Sequence, residues 1–139
     1  MLNLPVSEIM NDHPIKVSSD VSIRNVAHLL LRYRINGILV VMPDDQDELI
    51  GVFSTADLVE IMDGVLVNGI KKMQALSTVG DRPVVDFVKR KFTRLQKDDN
   101  ASKAVAIMHK KDALTIPVYD GKSLVGVVGR HDIINIAFA

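Results

Sequence analysis

Apolar and polar positions follow two rhythms along this chain, and the pair of rhythms comes round twice. Ile15-Lys16-Val17 alternates and predicts a short strand. Before it, residues 6–10 read as a helical turn or docking arm, and Asn11-Asp12-His13-Pro14 as a turn. From 23 to 33 the apolar residues Ile23, Val26, Ala27, Leu30 and Tyr33 keep helical spacing. Leu29 and Leu31 widen that stripe and predict burial on more than one side, with Ser22 or Asp20 as the cap. Asn36-Gly37 is expected to end the helix, the glycine taking the left-handed position. Ile38-Leu39-Val40-Val41 predicts a buried strand, residues 43–48 a polar turn, and 49–53 a strand pairing back as a hairpin. Asp57 then opens a second helix.

The order strand, helix, strand, strand, helix returns later. Thr93-Arg94-Leu95 is the short strand, and 97–100 the cap region. Ala101, Ala104, Val105 and Met108 are spaced for a helix, and 114–119 is the next strand. Asp120-Gly121-Lys122 is a hairpin turn, 124–128 returns, and Arg130-His131-Asp132 leads into the last helix. Ile15 to Thr93 is 93 − 15 = 78, and Asp20 to Asp98, Leu30 to Met108 and Val40 to Val118 keep that offset. Beyond the hairpin, Gly51 to Gly126 and Asp57 to Asp132 are 75 apart. The three lost residues fall at the acidic turn, where a change of length costs little. The expected division is a first repeat over 1–62, a helical connector over 63–83 and a second repeat over 84–139. Leu58, Ile61, Met62, Val65, Leu66, Gly69, Ile70 and Met73 form an apolar stripe expected to be core sooner than partner interface. Gly64 and Gly69 favour two shorter helices over one.

Composition narrows the function. The 139 residues are 47% hydrophobic, enough for a core. Lys+Arg and Asp+Glu both number 17, so no basic surplus favours nucleic acid or an anionic membrane. There is no cysteine and no signal-like or membrane-length apolar run, so the expected location is the cytoplasm. The four histidines lack metal-binding spacing, and neither a glycine-rich phosphate loop nor a Gly-x-Ser-x-Gly elbow occurs. The expectation is a protein that is not an enzyme, with no catalytic residue, catalytic cofactor or metal.

The duplicated pattern resembles a tandem pair of cystathionine-β-synthase-type (CBS) domains, the Bateman module. The resemblance rests on the entries at 6–10 and 84–88 and the strands Ile15-Lys16-Val17 and Thr93-Arg94-Leu95. It also rests on Gly37-Ile38-Leu39-Val40 against Thr115-Ile116-Pro117-Val118, and on the Gly51 to Asp57 and Gly126 to Asp132 motifs. It implies an α+β fold of two pseudo-twofold-related β-α-β-β-α units packed through their sheets, with two clefts. Such clefts commonly take AMP, ADP, ATP or S-adenosylmethionine, and many such modules pair into a homodimeric disc.

By that resemblance Asp57 and Asp132 accept from ribose hydroxyls, a task a carboxylate suits. Each aspartate equally suits a helix cap. Ser54 holds the phosphate-contacting hydroxyl position, with Thr55 beside it. Gly129 replaces that hydroxyl in the second copy, where Arg130 and His131 offer charge instead or form an exposed basic turn. The implied base pocket uses Ile15, Lys16, Ile38 and Leu39 in one copy, with Val17 as core. The other copy supplies Thr93, Arg94, Ile116 and Pro117, with Leu95 as core. Lys16 and Arg94 face phosphates or are solvated strand-edge charges, and Lys97 and the lysines near 89–91 add positive potential or form a wet face. The reading is a stand-alone regulatory module that binds an adenosyl ligand in the inter-repeat cleft and signals to a partner protein. The alternative is a structural, dimerising module with degenerate, empty clefts.

Overall fold

The computed structural model of the chain describes residues 2–67 and 73–139. Gly69 and Ile70, two members of the expected connector stripe, lie outside the described residues. The elements run β1 (Lys16–Ser18), α1 (Ile23–Tyr33), β2 (Gly37–Met42), β3 (Asp45–Ser54), α2 (Thr55–Leu66) and α3 (Met73–Gly80). Then follow β4 (Leu95–Gln96), α4 (Ala101–Lys111), β5 (Thr115–Asp120), β6 (Ser123–Gly129) and α5 (Arg130–Ala137). Single 3-10 turns at Val6–Glu8 and Val84–Asp86 precede the two repeats. The fold is α+β. Among the described residues it holds two three-stranded sheets, in the orders β1-β2-β3 and β4-β5-β6. In each, the short first strand runs parallel to the central strand and the hairpin partner runs antiparallel. Among the described residues no helix is long and apolar enough to cross a membrane.

The three residues by which the repeats differ are visible in the register. In both hairpins one residue bulges, as the pairs step from Val40↔Gly51 to Val41↔Leu49 and from Val118↔Gly126 to Tyr119↔Leu124. The second hairpin then closes with Asp120↔Ser123, whereas the first jumps to Met42↔Asp45. Residues 46–48 are therefore extra length beside the tip, and β3 begins at Asp45 where a polar turn was expected through 48. The short strands also start later than the alternation predicted, at Lys16 and Leu95.

Helix α1 ends earlier than Gly37. Arg34 takes the left-handed conformation at φ 53°, and Gly37 is already in β2. The amide of Ile35 donates to Leu30 O (3.1 Å) and that of Arg34 to Leu31 O (3.4 Å), the bond pair of a Schellman closure. Asp112, 78 residues on, closes α4 at φ 51°. Two-sided burial of α1 is not found either. Ile23, Val26 and Leu30 are buried, but Leu31 is 74% exposed and Tyr33 half exposed. Helix α2 has no buried residue, and Met62 and Leu66 of the expected core stripe are exposed. It runs through Gly64 to Leu66, so Gly64 does not break it, and α3 begins at Met73.

Two compact units form, and they are cut differently from the sequence repeats. One contains Lys16–Lys89, the other Met1–Ile15 with Arg90–Ala139. Each 3-10 turn therefore packs in the unit built from the other repeat. The amide of Val84 donates to Val21 O (2.8 Å) and that of Val85 to Ser19 O (3.1 Å). In the other unit Val6 donates to Asp99 O (2.8 Å) and Ser7 to Lys97 O (3.1 Å), the same bonds shifted by 78. Val84 and Val6 are both fully buried, Val6 in a cluster with Leu95, Ala101, Ile116 and Val128.

Candidate functional site

The turn at 54–57 is placed by the end of β3. Ser54 pairs across to Gly37, the start of β2, and Thr55 N–H donates to Asn36 O at 2.9 Å. Ser54 is extended (φ −120°, ψ 168°) and caps α2. Its Oγ accepts from Asp57 N–H (3.2 Å) and donates to Asp57 Oδ2 (3.1 Å). Asp57 Oδ2 also accepts from Ser54 N–H (2.8 Å), closing a capping box. The capping role open to Asp57 is thus filled, and one carboxylate oxygen fills it. The other, Oδ1, faces the Lys89 ammonium at 3.6 Å, beyond hydrogen-bond length. Lys89 Nζ donates to Glu60 Oε2 at 3.0 Å, one turn further along α2. That bond, and then the Asp57 charge, raise the Lys89 pKa above the ordinary lysine value. These groups rim a groove of about 380 Å³ floored by Ile61, Val65, Val79 and Phe87. Arg82 lies over the Phe87 ring at 4.6 Å and pairs with Asp86 at 3.1 Å.

The second turn is poorer. Gly129 caps α5, and its N–H donates to Asp132 Oδ2 at 2.7 Å, so half of the box is kept. Arg130 is half-buried, its Nε donating to Ala113 O (3.4 Å), and His131 is exposed. A groove of about 310 Å³ beside Arg130 is lined by Val105, Met108, His109, Asp112 and Ile133.

The remaining expected site residues are spread over the sheets. Ile38, Leu39, Ile116 and Pro117 are buried in the central strands β2 and β5. Ile15 and Thr93 are half-buried just before the short strands. Lys16 pairs with Leu39 and donates through Nζ to Gln46 O at 3.2 Å, while Lys97 pairs with Asp120 at 3.2 Å. Arg94 lies over Tyr119 at 4.6 Å and Phe92 at 5.2 Å. Burial raises the Tyr119 pKa, and Arg94 opposes the shift. The structure brings Ser54, Thr55 and Asp57 together and adds Glu60, Lys89, Arg82 and Phe87 beside them. Sequence reasoning passed over Glu60, Arg82 and Phe87 and saw Lys89 only as one of a charge run. The signal available was the 78-residue echo of Val6–Glu8 in Val84–Asp86, which marks an arm and not the unit it packs in.

The sequence model of one family, the CBS domain, matches residues 6–64 and again residues 84–138. The chain belongs to the CBS domain family. It carries two CBS repeats, a CBS pair. The uncharacterized Methanocaldococcus jannaschii protein MJ1232 is 26% identical over 135 residues, covering 96% of this chain and 40% of that protein. Protein MJ0450 of the same organism is 30% identical over 135 residues, covering 96% and 66%. The chain thus spans from two-fifths to about two-thirds of these relatives' length. Among solved structures, the CBS-domain containing protein ATU1752 from Agrobacterium tumefaciens has a TM-score of 0.80 at 20% identity, covering 96% of this chain and 99% of that one. The CBS domain pair of protein MJ0100, in complex with 5′-methylthioadenosine and S-adenosyl-L-methionine, has a TM-score of 0.74 at 22% identity, covering 97% and 96%. CBSX2 in complex with AMP has a TM-score of 0.72 at 20% identity, covering 96% of each chain.

Proposed function

We propose that this CBS pair is a regulatory module, not an enzyme, that binds an adenosyl ligand at the 54–57 turn. The observation that carries the reading is the division of labour within Asp57. Oδ2 is saturated by the cap, while Oδ1 keeps its lone pairs for the two vicinal hydroxyls of a ribose. The ligand class is AMP, ADP, ATP or S-adenosylmethionine, and the setting is cytoplasmic. The ligand-bound states of the MJ0100 pair and of CBSX2, which share the fold, support that class. Ligand binding acts by favouring one arrangement of the chain over another, and a partner protein reads the shift. Titration calorimetry with these four ligands on wild type and Asp57→Ala tests the reading. Binding by wild type and its loss in the variant are expected; no heat with any ligand on wild type defeats it.

A second reading has its own observation. Val59, Met62, Leu66 and Val67 expose apolar surface on and just after α2, which suits pairing of two copies as a homodimer. If pairing is the whole function, sedimentation finds a dimer and ligands leave the melting temperature unmoved. A true ligand at a hundredfold excess over Kd adds about 2.7 kcal/mol.

A further inference from the structure

We infer that Lys89 sets the charge preference of the Asp57 site, admitting phosphorylated adenosyl ligands beside two carboxylates. The inference rests on the adenosyl-binding reading above.

The rim of the groove is acidic without this side chain. Asp57 and Glu60 stand one helical turn apart on α2, and the Lys89 ammonium lies between them, 3.6 Å from one and 3.0 Å from the other. Arg82 is committed elsewhere, to Asp86 at 3.1 Å and the Phe87 ring at 4.6 Å. A ribose held through its diol on Asp57 brings its 5′ substituent within one Debye length, about 8–10 Å, of all three charges. A phosphate there carries roughly −1.5 to −2 charges and is repelled by both carboxylates. Lys89 is placed to answer it. Its backbone is seated against β3, with its carbonyl oxygen 2.3 Å from where a Cβ on Gly51 would stand. Its side chain is 64% exposed, so the ammonium follows a phosphate by rotating its flexible stem. Lys89 also faces Asp57 Oδ1, the oxygen proposed for the ribose, so an uncharged ligand gains nothing from it.

The test is a matched pair of ligands with one adenosine part and different charge: AMP and uncharged 5′-methylthioadenosine. Each is titrated into the full chain at low salt as wild type, Lys89→Met, Lys89→Arg and Glu60→Gln. Lys89→Met is expected to weaken AMP by about tenfold or more and to leave the thioether within about twofold. Lys89→Arg restores AMP, Glu60→Gln tightens it, and high salt shrinks each difference. An equal fold-change for both ligands in Lys89→Met, or AMP unchanged, overturns the assignment while the adenosyl reading stands. Wild type binding neither ligand overturns both.

Discussion

Gly129 sits where Ser54 sits, and the two differ by one hydroxymethyl group. At Ser54 the hydroxyl completes the box with Asp57; at Gly129 only the backbone amide reaches Asp132. A Cβ added at Gly129 meets nothing closer than Asp132 Oδ2 at 3.5 Å and Leu114 O at 3.9 Å. The backbone there is already extended, at φ −103° and ψ 167°. Gly129→Ser is therefore expected to stabilise the chain by a few tenths of a kcal/mol, and Ser54→Ala to cost about 1 kcal/mol. Urea unfolding reads both changes. At this scale the sequence pointed to a cap at the right turn but on the wrong residue: Asp57 was expected to cap or open the helix, whereas Ser54 is the N-cap and Asp57 stands in the first turn and answers it. The sequence was silent on what faces the aspartate oxygen that the cap leaves open. That is Lys89, a residue 32 positions further on in the chain.

At the scale of elements, the strands and helices were legible because their periods differ and each occurs twice. The interrupting glycines were visible, but their cause was not. It lies in an arm that crosses the strand. Over Gly51 the arm's backbone leaves no room, with Lys89 O at 2.3 Å and the Val88 side chain at 2.9 Å from an added Cβ. Over Gly126 the crossing is similar, with Met10 Sδ at 2.6 Å and Asn11 O at 2.8 Å. Gly51→Ala is expected to destabilise by about 1–3 kcal/mol and to move Lys89 away from Asp57. Gly126→Ala costs less, because the carbonyl in its way, Asn11 O at 2.8 Å, stands farther off than Lys89 O does from Gly51, and the nearest atom is a flexible methionine sulfur. Denaturant melts of the two variants give the order. The hairpin tip is the opposite case. Residues 46–48 are exposed and have no counterpart in the second hairpin. Deleting them removes the exposed Lys16 to Gln46 bond at 3.2 Å and the exposed bond from Asp47 N–H to Asp45 Oδ1 at 3.0 Å. A stability change within about 1 kcal/mol is expected, since loop length enters only logarithmically. A larger loss would mean that the first hairpin needs its extra length.

At the scale of the whole chain, a fixed offset reveals that two segments are equivalent but not which segment each one packs against. That the chain holds two repeats was legible in that way, whereas the exchange of arms was not. Val84 opens the second repeat, yet its amide bonds to Val21 O and it belongs to the unit of Lys16–Lys89. Val6 opens the first, yet it packs with Leu95, Ala101 and Ile116. Both side chains are fully buried, so truncating either removes two methyl groups from a packed interior. Val6→Ala and Val84→Ala should each cost about 2 kcal/mol. The cost should fall on opposite parts of the chain. Amide hydrogen exchange on the intact protein locates it, because local opening free energies are read element by element. Val84→Ala is expected to speed exchange in β1, β2 and β3 and to spare β5 and β6. Val6→Ala should do the reverse. If the sequence repeats were themselves the cooperative units, Val84→Ala would loosen β5 and β6 instead. Faster exchange there, with β2 and β3 unchanged, would rule out the exchanged arms. It would also remove the seat that holds Lys89 beside Asp57.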